Sequence, residues 1–217
     1  MARQIARGAI FDMDGVLVDS GVHHRAAWRA LLDELGETPA HHDYWRLTIG
    51  RPGAEAVPLL LGRAVPAAEA RVLARRKHEH YLKLARDGVA PIAGVVEFVE
   101  ALAARAIPRA VATSASRHDA HQLLERLHLR RHFEVIVAAE DVSRGKPDPE
   151  VYLRAARGLG LAPGACLVFE DSVVGVHAAR EAGMTVVGVT TAHAEGELRA
   201  AGAAHVIDSF EGVTWPV

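Results

Sequence analysis

AIFDMDGVLVDS, residues 9–20, runs from a short apolar segment directly into three carboxylates and a hydroxyl. Taken alone, Asp-x-Asp-Gly is as good a turn as a site, since Asp and Gly are both turn formers. What the rest of the chain places beside it decides between the two. The apolar run ending at Asp12 is the first of six runs with strand character, at 8–12, 109–113, 135–138, 166–169, 185–189 and 205–207. Helical periods separate them at 95–105, 119–127, 150–158, 173–182 and 196–201, with Pro108, Pro163, Gly164 and Gly183 marking breaks. Such alternation predicts an α/β protein whose parallel sheet is covered by helices on both faces, a three-layer core.

One segment departs from this rhythm. From Gly21 to about Arg86 no strand pattern occurs, only helical spacing, as in HHRAAWRALLDELG with Trp28, Leu31, Leu32 and Leu35 on one face. The chain returns through RDGVAPIAGV, where Pro91 and Gly94 introduce the next helix. We therefore expect a core of residues 1–19 and 89–217 and a helical insert of residues 20–88. In an open α/β sheet, ligands bind beyond the carboxyl ends of the strands, so an insert leaving at that edge would act as a lid.

Composition narrows the function classes. A chain of 217 residues that is 50% hydrophobic can bury a substantial core, and its formal charge of −2 provides no basic field for nucleic acid or an acidic membrane. The apolar runs fall short of the roughly 20 residues a membrane helix needs. Cys166 is the only cysteine and MARQIARGAI has no apolar leader, so a cytoplasmic protein is expected, with a monomer as the default. The 13 histidines do not form a metal set, because His23/His24, His41/His42 and His78/His80 are spaced to face apart on helices. Arg75, Arg76 and Lys77 read as an exposed helix face, Trp28 and Trp45 as core of the insert, and Cys166 as buried and inert.

The chemistry lies at the strand ends. Asp12 and Asp14 follow the first strand, Thr113 and Ser114 the second, Lys146 the third, and Glu170 and Asp171 the fourth. Parallel strands would gather these carboxylates at one edge, where they would repel one another without a cation. Hard oxygen donors around an open position suit Mg²⁺, which retains waters and accepts a substrate phosphate. Lys146 adds a second positive charge; it is one of three lysines among 25 basic residues. Plain structural roles compete at some positions: Asp148 with Pro149 could start one helix, and Asp171 or Ser172 could cap another.

The ordered set DMDG, TSAS, GKPDP and EDS, with a helical insert after the first, resembles the haloacid dehalogenase superfamily over nearly the whole chain. Within it, the insert resembles the small helical cap shared by beta-phosphoglucomutase and sugar-phosphate phosphatases. The resemblance implies a Rossmann-like core, a four-helix cap, and phosphoryl transfer from a small phosphorylated metabolite through an aspartyl phosphate. Asp12 would be the nucleophile and Asp14 the general acid and base, with Ser114 (or Thr113) and the Ala115 amide on the phosphoryl group and Lys146 beside it. Asp12, Asp14 through its carbonyl, Glu170 and Asp171 would hold Mg²⁺. Asp14 itself argues against dehalogenation, which needs no proton donor there.

For the substrate, Ser20 and His24 stand where the mutase has a threonine and a histidine, and Ser116 with Arg117 resembles its grip on a second phosphate. The loop LTIGRPG differs: Ile49 and Gly53 replace the mutase's lysine and arginine, while Gly50 and Arg51 match the phosphatase type. The resemblance thus implies a phosphatase, with a phosphomutase as the alternative and a non-catalytic binding protein as the third reading.

Overall fold

GAIF, Gly8–Phe11, forms strand β1 with all four residues buried, in a computed structural model that describes residues 6–217. Residues 1–5, assigned above to the core and read for a leader, lie outside the described residues. The other strands are β2 (Arg109–Ala112), β3 (Val135–Val137), β4 (Cys166–Glu170), β5 (Thr185–Val189) and β6 (His205–Ile207). They form one sheet in the order β3-β2-β1-β4-β5-β6, with every pairing parallel. β1 is central: Ala9 stands opposite Arg109 on one side and Leu167 on the other.

Because successive strand side chains point to opposite faces, β1 feeds two cores. Ile10 joins Ala110 and Val168 on one face; Phe11 joins Val111 and Phe169 on the other. The first face is covered by α6 (Glu150–Gly158), α7 (Val173–Glu181) and α8 (Glu195–Ala201), the second by α4 (Val95–Ala104) and α5 (Arg117–Arg126). Phe11 and Phe169 stack at 4.8 Å, with Phe133 edge-on to Phe11 at 5.8 Å; such pairs each add about 0.5–1.5 kcal/mol beyond burial. The tail completes this face. Trp215 is buried there and its carbonyl accepts a bond from Arg105 Nη1 at 2.9 Å.

The insert contains α1 (Gly21–Leu35), α2 (Gly53–Leu61), α3 (Ala67–Leu84) and a 3-10 helix, Tyr44–Thr48, around its own core of Trp28, Leu31, Leu60 and Leu73. The expected four-helix cap is thus three α-helices and one 3-10 turn. The segment between α1 and α2 carries Pro39, Gly50 and Pro52, which bound the 3-10 helix on either side.

The element ends differ slightly from the sequence reading. The first three strands stop one residue early, at Phe11, Ala112 and Val137, and β4 runs one further, to Glu170. The helix starting at 119 begins instead at Arg117, because Ser116 Oγ accepts from Asp119 N at 3.1 Å and caps it. Pro149 is not inside α6 but precedes it, and Asp148 Oδ1 accepts from Glu150 N at 3.0 Å. Ser172, not Asp171, caps α7, accepting from Gly175 N at 3.0 Å. Among the described residues, no helix is long and apolar enough to cross a membrane.

Candidate active site

The strand ends bring together the predicted cluster. Asp12 and Asp171 are 4% exposed, Lys146 1% and Glu170 0%. Lys146 Nζ donates to Asp12 Oδ1 at 2.8 Å and to Glu170 Oε1 at 2.6 Å. Burial opposes its charge, but the two carboxylates outweigh that and push its pKa up, so it is a fixed cation. Burial raises the pKa of Asp12 to about 7 against the pull of Lys146. Asp171 is also pushed well up, by burial and by the neighbouring carboxylates.

Glu170 differs from the other two acids. Its Oε1 accepts from Lys146 and from Tyr152 Oη at 2.9 Å, and its Oε2 from Ser172 N at 2.7 Å and Ser172 Oγ at 2.9 Å. Those four donors fill the usual capacity of a carboxylate. Asp12, Glu170 and Asp171 offer oxygens within 4.8 Å of one another. One ammonium cannot balance three ionised acids, which is why Asp12 and Asp171 are pushed toward their protonated forms, and an all-oxygen donor set fits a hard divalent cation that would let them ionise.

Two glycines allow this density. A Cβ on Gly175 would lie 1.7 Å from Glu170 Oε1, and one on Gly15, at φ +76°, 1.8 Å from Asp171 Oδ2. Gly175→Ala is expected to cost about 2 kcal/mol or more by overpacking and to lower activity with it. Thermal unfolding and phosphate release measured on the same preparation check both effects.

Asp14 is set by the insert. Ser20 Oγ donates to Asp14 Oδ1 at 2.5 Å, and His24 Nε2 lies 3.2 Å from the same oxygen. Lys77 Nζ lies 2.6 Å from His24 Nδ1. An ammonium can only donate, so Nδ1 accepts and the ring proton sits on Nε2, facing Asp14. Burial and the Lys77 charge lower the His24 pKa, keeping the ring neutral. Burial opposes the charge on Asp14, but His24, Ser20 and Lys77 overcome it and bring its pKa to about 2.

Lys77 is not on an exposed face. It is 8% exposed, with its ammonium 5.0 Å from the Trp28 ring centre and 5.5 Å from that of Tyr81, and burial lowers its pKa to about 8. Leu73, Lys77 and Tyr81 recur every four residues of α3, and this buried stripe was the available signal. His78, next to Lys77 on α3, reaches the core, its Nε2 lying 3.4 Å from Asp119 Oδ1.

The remaining predicted residues divide. Ser114 Oγ donates to Gly50 O at 2.9 Å, so the hydroxyl assigned to phosphate meets the insert's loop. Gly50, at φ +72°, packs so that a Cβ would lie 2.4 Å from Ser172 Oγ. The Ala115 amide donates to Thr113 Oγ1 at 3.0 Å. Ser116 Oγ donates to Asp119 Oδ2 at 2.5 Å. Arg117 does not join the site: its guanidinium is tied to Asp141 and it does not line the cleft. A cavity of about 520 Å³ lies between Asp12, Asp14 and Ser114 below and His24, Gly50 and Arg51 above. Sequence reading missed Thr191 and His193 beyond β5. Thr191 Oγ1 donates to Gly15 O at 2.6 Å, and His193 Nδ1 lies 3.1 Å from Asp171 O. Their place after a strand end could have flagged them.

This geometry has close counterparts. A Thermotoga maritima protein named phosphorylated carbohydrates phosphatase is 35% identical over 175 residues, covering 81% of each chain. The Bacillus subtilis beta-phosphoglucomutase is 31% identical, covering 84% of this chain and 83% of its own. A solved hydrolase from Pseudomonas syringae superimposes with a TM-score of 0.86 at 32% identity, covering 94% of each chain. Residues 9–189 match the family described as haloacid dehalogenase-like hydrolase. That span runs from β1 to the end of β5 and holds every predicted site residue, so the chain belongs to the haloacid dehalogenase-like hydrolases.

Proposed function

We propose that the protein is a cytoplasmic, monomeric, Mg²⁺-dependent phosphatase that removes phosphate from a small phosphorylated metabolite of the sugar-phosphate class, and that residues 20–88 act as its cap domain. The supporting observation is the pairing of two aspartates in opposite environments. Asp12 lies on Lys146 over the acidic cluster, while Asp14 is held two residues away by groups of the cap. The T. maritima relative's name supports the substrate class.

Asp12 attacks phosphorus, and the resulting aspartyl phosphate divides one slow hydrolysis into two faster steps. Lys146 fixes the Asp12 carboxylate and neutralises charge on the transferring group. Asp12 and Asp171, with the Asp14 carbonyl, would hold Mg²⁺, which supplies further charge neutralisation at the phosphoryl oxygens; Glu170, expected to join them as a ligand, already accepts four hydrogen bonds and orients Lys146 instead. With the cap shut, Asp14 is an anion and takes the proton from the attacking water. For the first step the same carboxyl carries a proton to the leaving oxygen, and it recovers that proton from the water in the second. Ser114 bonds the phosphoryl group once Gly50 releases it.

The B. subtilis relative is named a mutase, yet in this chain Arg117, assigned to the mutase's second phosphate, is occupied by Asp141, and Ile49 and Gly53 replace the mutase loop's cations. Hydrolysis is therefore favoured. Purified protein with Mg²⁺ should release inorganic phosphate from a panel of sugar phosphates, and chelation by EDTA should stop it until Mg²⁺ is returned. Full activity in EDTA excludes the metal; glucose 6-phosphate formed from glucose 1-phosphate without free phosphate replaces the phosphatase reading by the mutase one.

A further inference from the structure

The upper wall of the cleft carries Arg25 of α1, Arg51 of the loop before α2, and Arg75 of α3. Neighbouring arginines of the insert are tied down, Arg29 to Asp33, Arg46 to Glu197 and Arg76 to Glu34. Among the described residues, Arg25, Arg51 and Arg75 have no carboxylate partner. Arg25 is held without being neutralised, its guanidinium 5.3 Å from the centre of the Trp45 ring, an arrangement that orients the cation while leaving its N–H groups to a ligand. The cleft is thus bipolar. Acids crowd its floor at Asp12, Asp14 and Asp171, and three free guanidinium groups stand across from them; Asp19 and Asp119 also line it, the latter engaged by Ser116 and His78. Ser116 and Arg117, the core residues that a second phosphate would otherwise meet, are turned to Asp119 and Asp141.

Resting on the phosphatase reading above, we propose that the substrate bears a second anionic group, a carboxylate or a phosphate, at the end remote from the transferred phosphate. Arg25 and Arg75 receive that group, and Arg51 lines the same cleft. They set specificity and take no part in the chemical step. A charge-assisted bond to guanidinium discriminates strongly against an uncharged isostere of the same length.

Binding tests this apart from turnover. In an Asp12→Asn background with Mg²⁺ present, calorimetry compares gluconate 6-phosphate with glucitol 6-phosphate, which differ only in a terminal carboxylate. Fructose 1,6-bisphosphate against fructose 6-phosphate forms the phosphate arm. The charged member of at least one pair should bind about tenfold more tightly, and the arm that does so identifies the group. Arg25→Gln/Arg75→Gln should reduce that advantage to about twofold or less while leaving the uncharged member's affinity unchanged. Equal affinities within both pairs, no binding of any member, or an equal loss for charged and uncharged members in the double variant overturns the proposal; the last would mean general attraction of phosphate. Failure of the parent enzyme to release phosphate from any sugar phosphate counts against the phosphatase reading and leaves these affinities to be judged on their own.

Discussion

Asp12→Asn abolishes phosphate release, with an expected loss on the order of 10³-fold or more, as for removal of an enzymic nucleophile. The substitution keeps shape and a hydrogen bond from Lys146, which contacts Oδ1 at 2.8 Å, and removes only the charge and the attacking oxygen. Stability should not fall with activity. Asp12 is buried beside Glu170 and Asp171, and burial and Glu170 oppose its ionisation, so the neutral amide relieves repulsion. A melting temperature at or above that of the parent, with phosphate release near background, is the expected pair of results. Activity within about tenfold of the parent would show that another group attacks phosphorus.

Lys146→Met has the opposite signature, since both stability and activity should fall. The ammonium, 1% exposed, is the one cation bonded to Asp12 and Glu170 among the described residues. Removing one partner of a buried ion network costs about 3–5 kcal/mol because the other charges remain buried. Loss of a charge stabilising the transferring phosphoryl group costs about 10²–10³ in rate. Thermal unfolding and steady-state kinetics check the two effects, and an unchanged melting temperature would show that the carboxylates do not depend on Lys146.

The sheet was legible because its signals are local. β5 and β6 lie where the runs at 185–189 and 205–207 place them, and the other strands differ by a single residue at one end. The strand-end chemistry followed from topology, since parallel strands put Asp12, Lys146 and Asp171 on one edge wherever the helices lie. The cap was less legible. Lys77 sits in the basic run Arg75, Arg76, Lys77, and charge suggests solvent; only the period of α3 shows that it shares a stripe with Leu73 and Tyr81. Arg117 was misplaced because its partner, Asp141, is 24 residues away, at the end of the short 3-10 helix Ala139–Asp141 that follows β3. Saturation of Glu170 depends on Tyr152 and Ser172 from two separate helix starts, which no spacing rule joins.

The contact running from Lys77 through His24 to Asp14 also bears on how such a protein can diverge. Its first two members belong to the helical insert, on α3 and α1, and the residue they act on belongs to the core. Exchanging the insert to admit a differently shaped metabolite would also exchange the groups that set the acidity of Asp14. Positions 24 and 77 are therefore constrained from the core as well as from the insert's own packing, so a change of insert that alters the fit of a ligand also resets the acidity of Asp14.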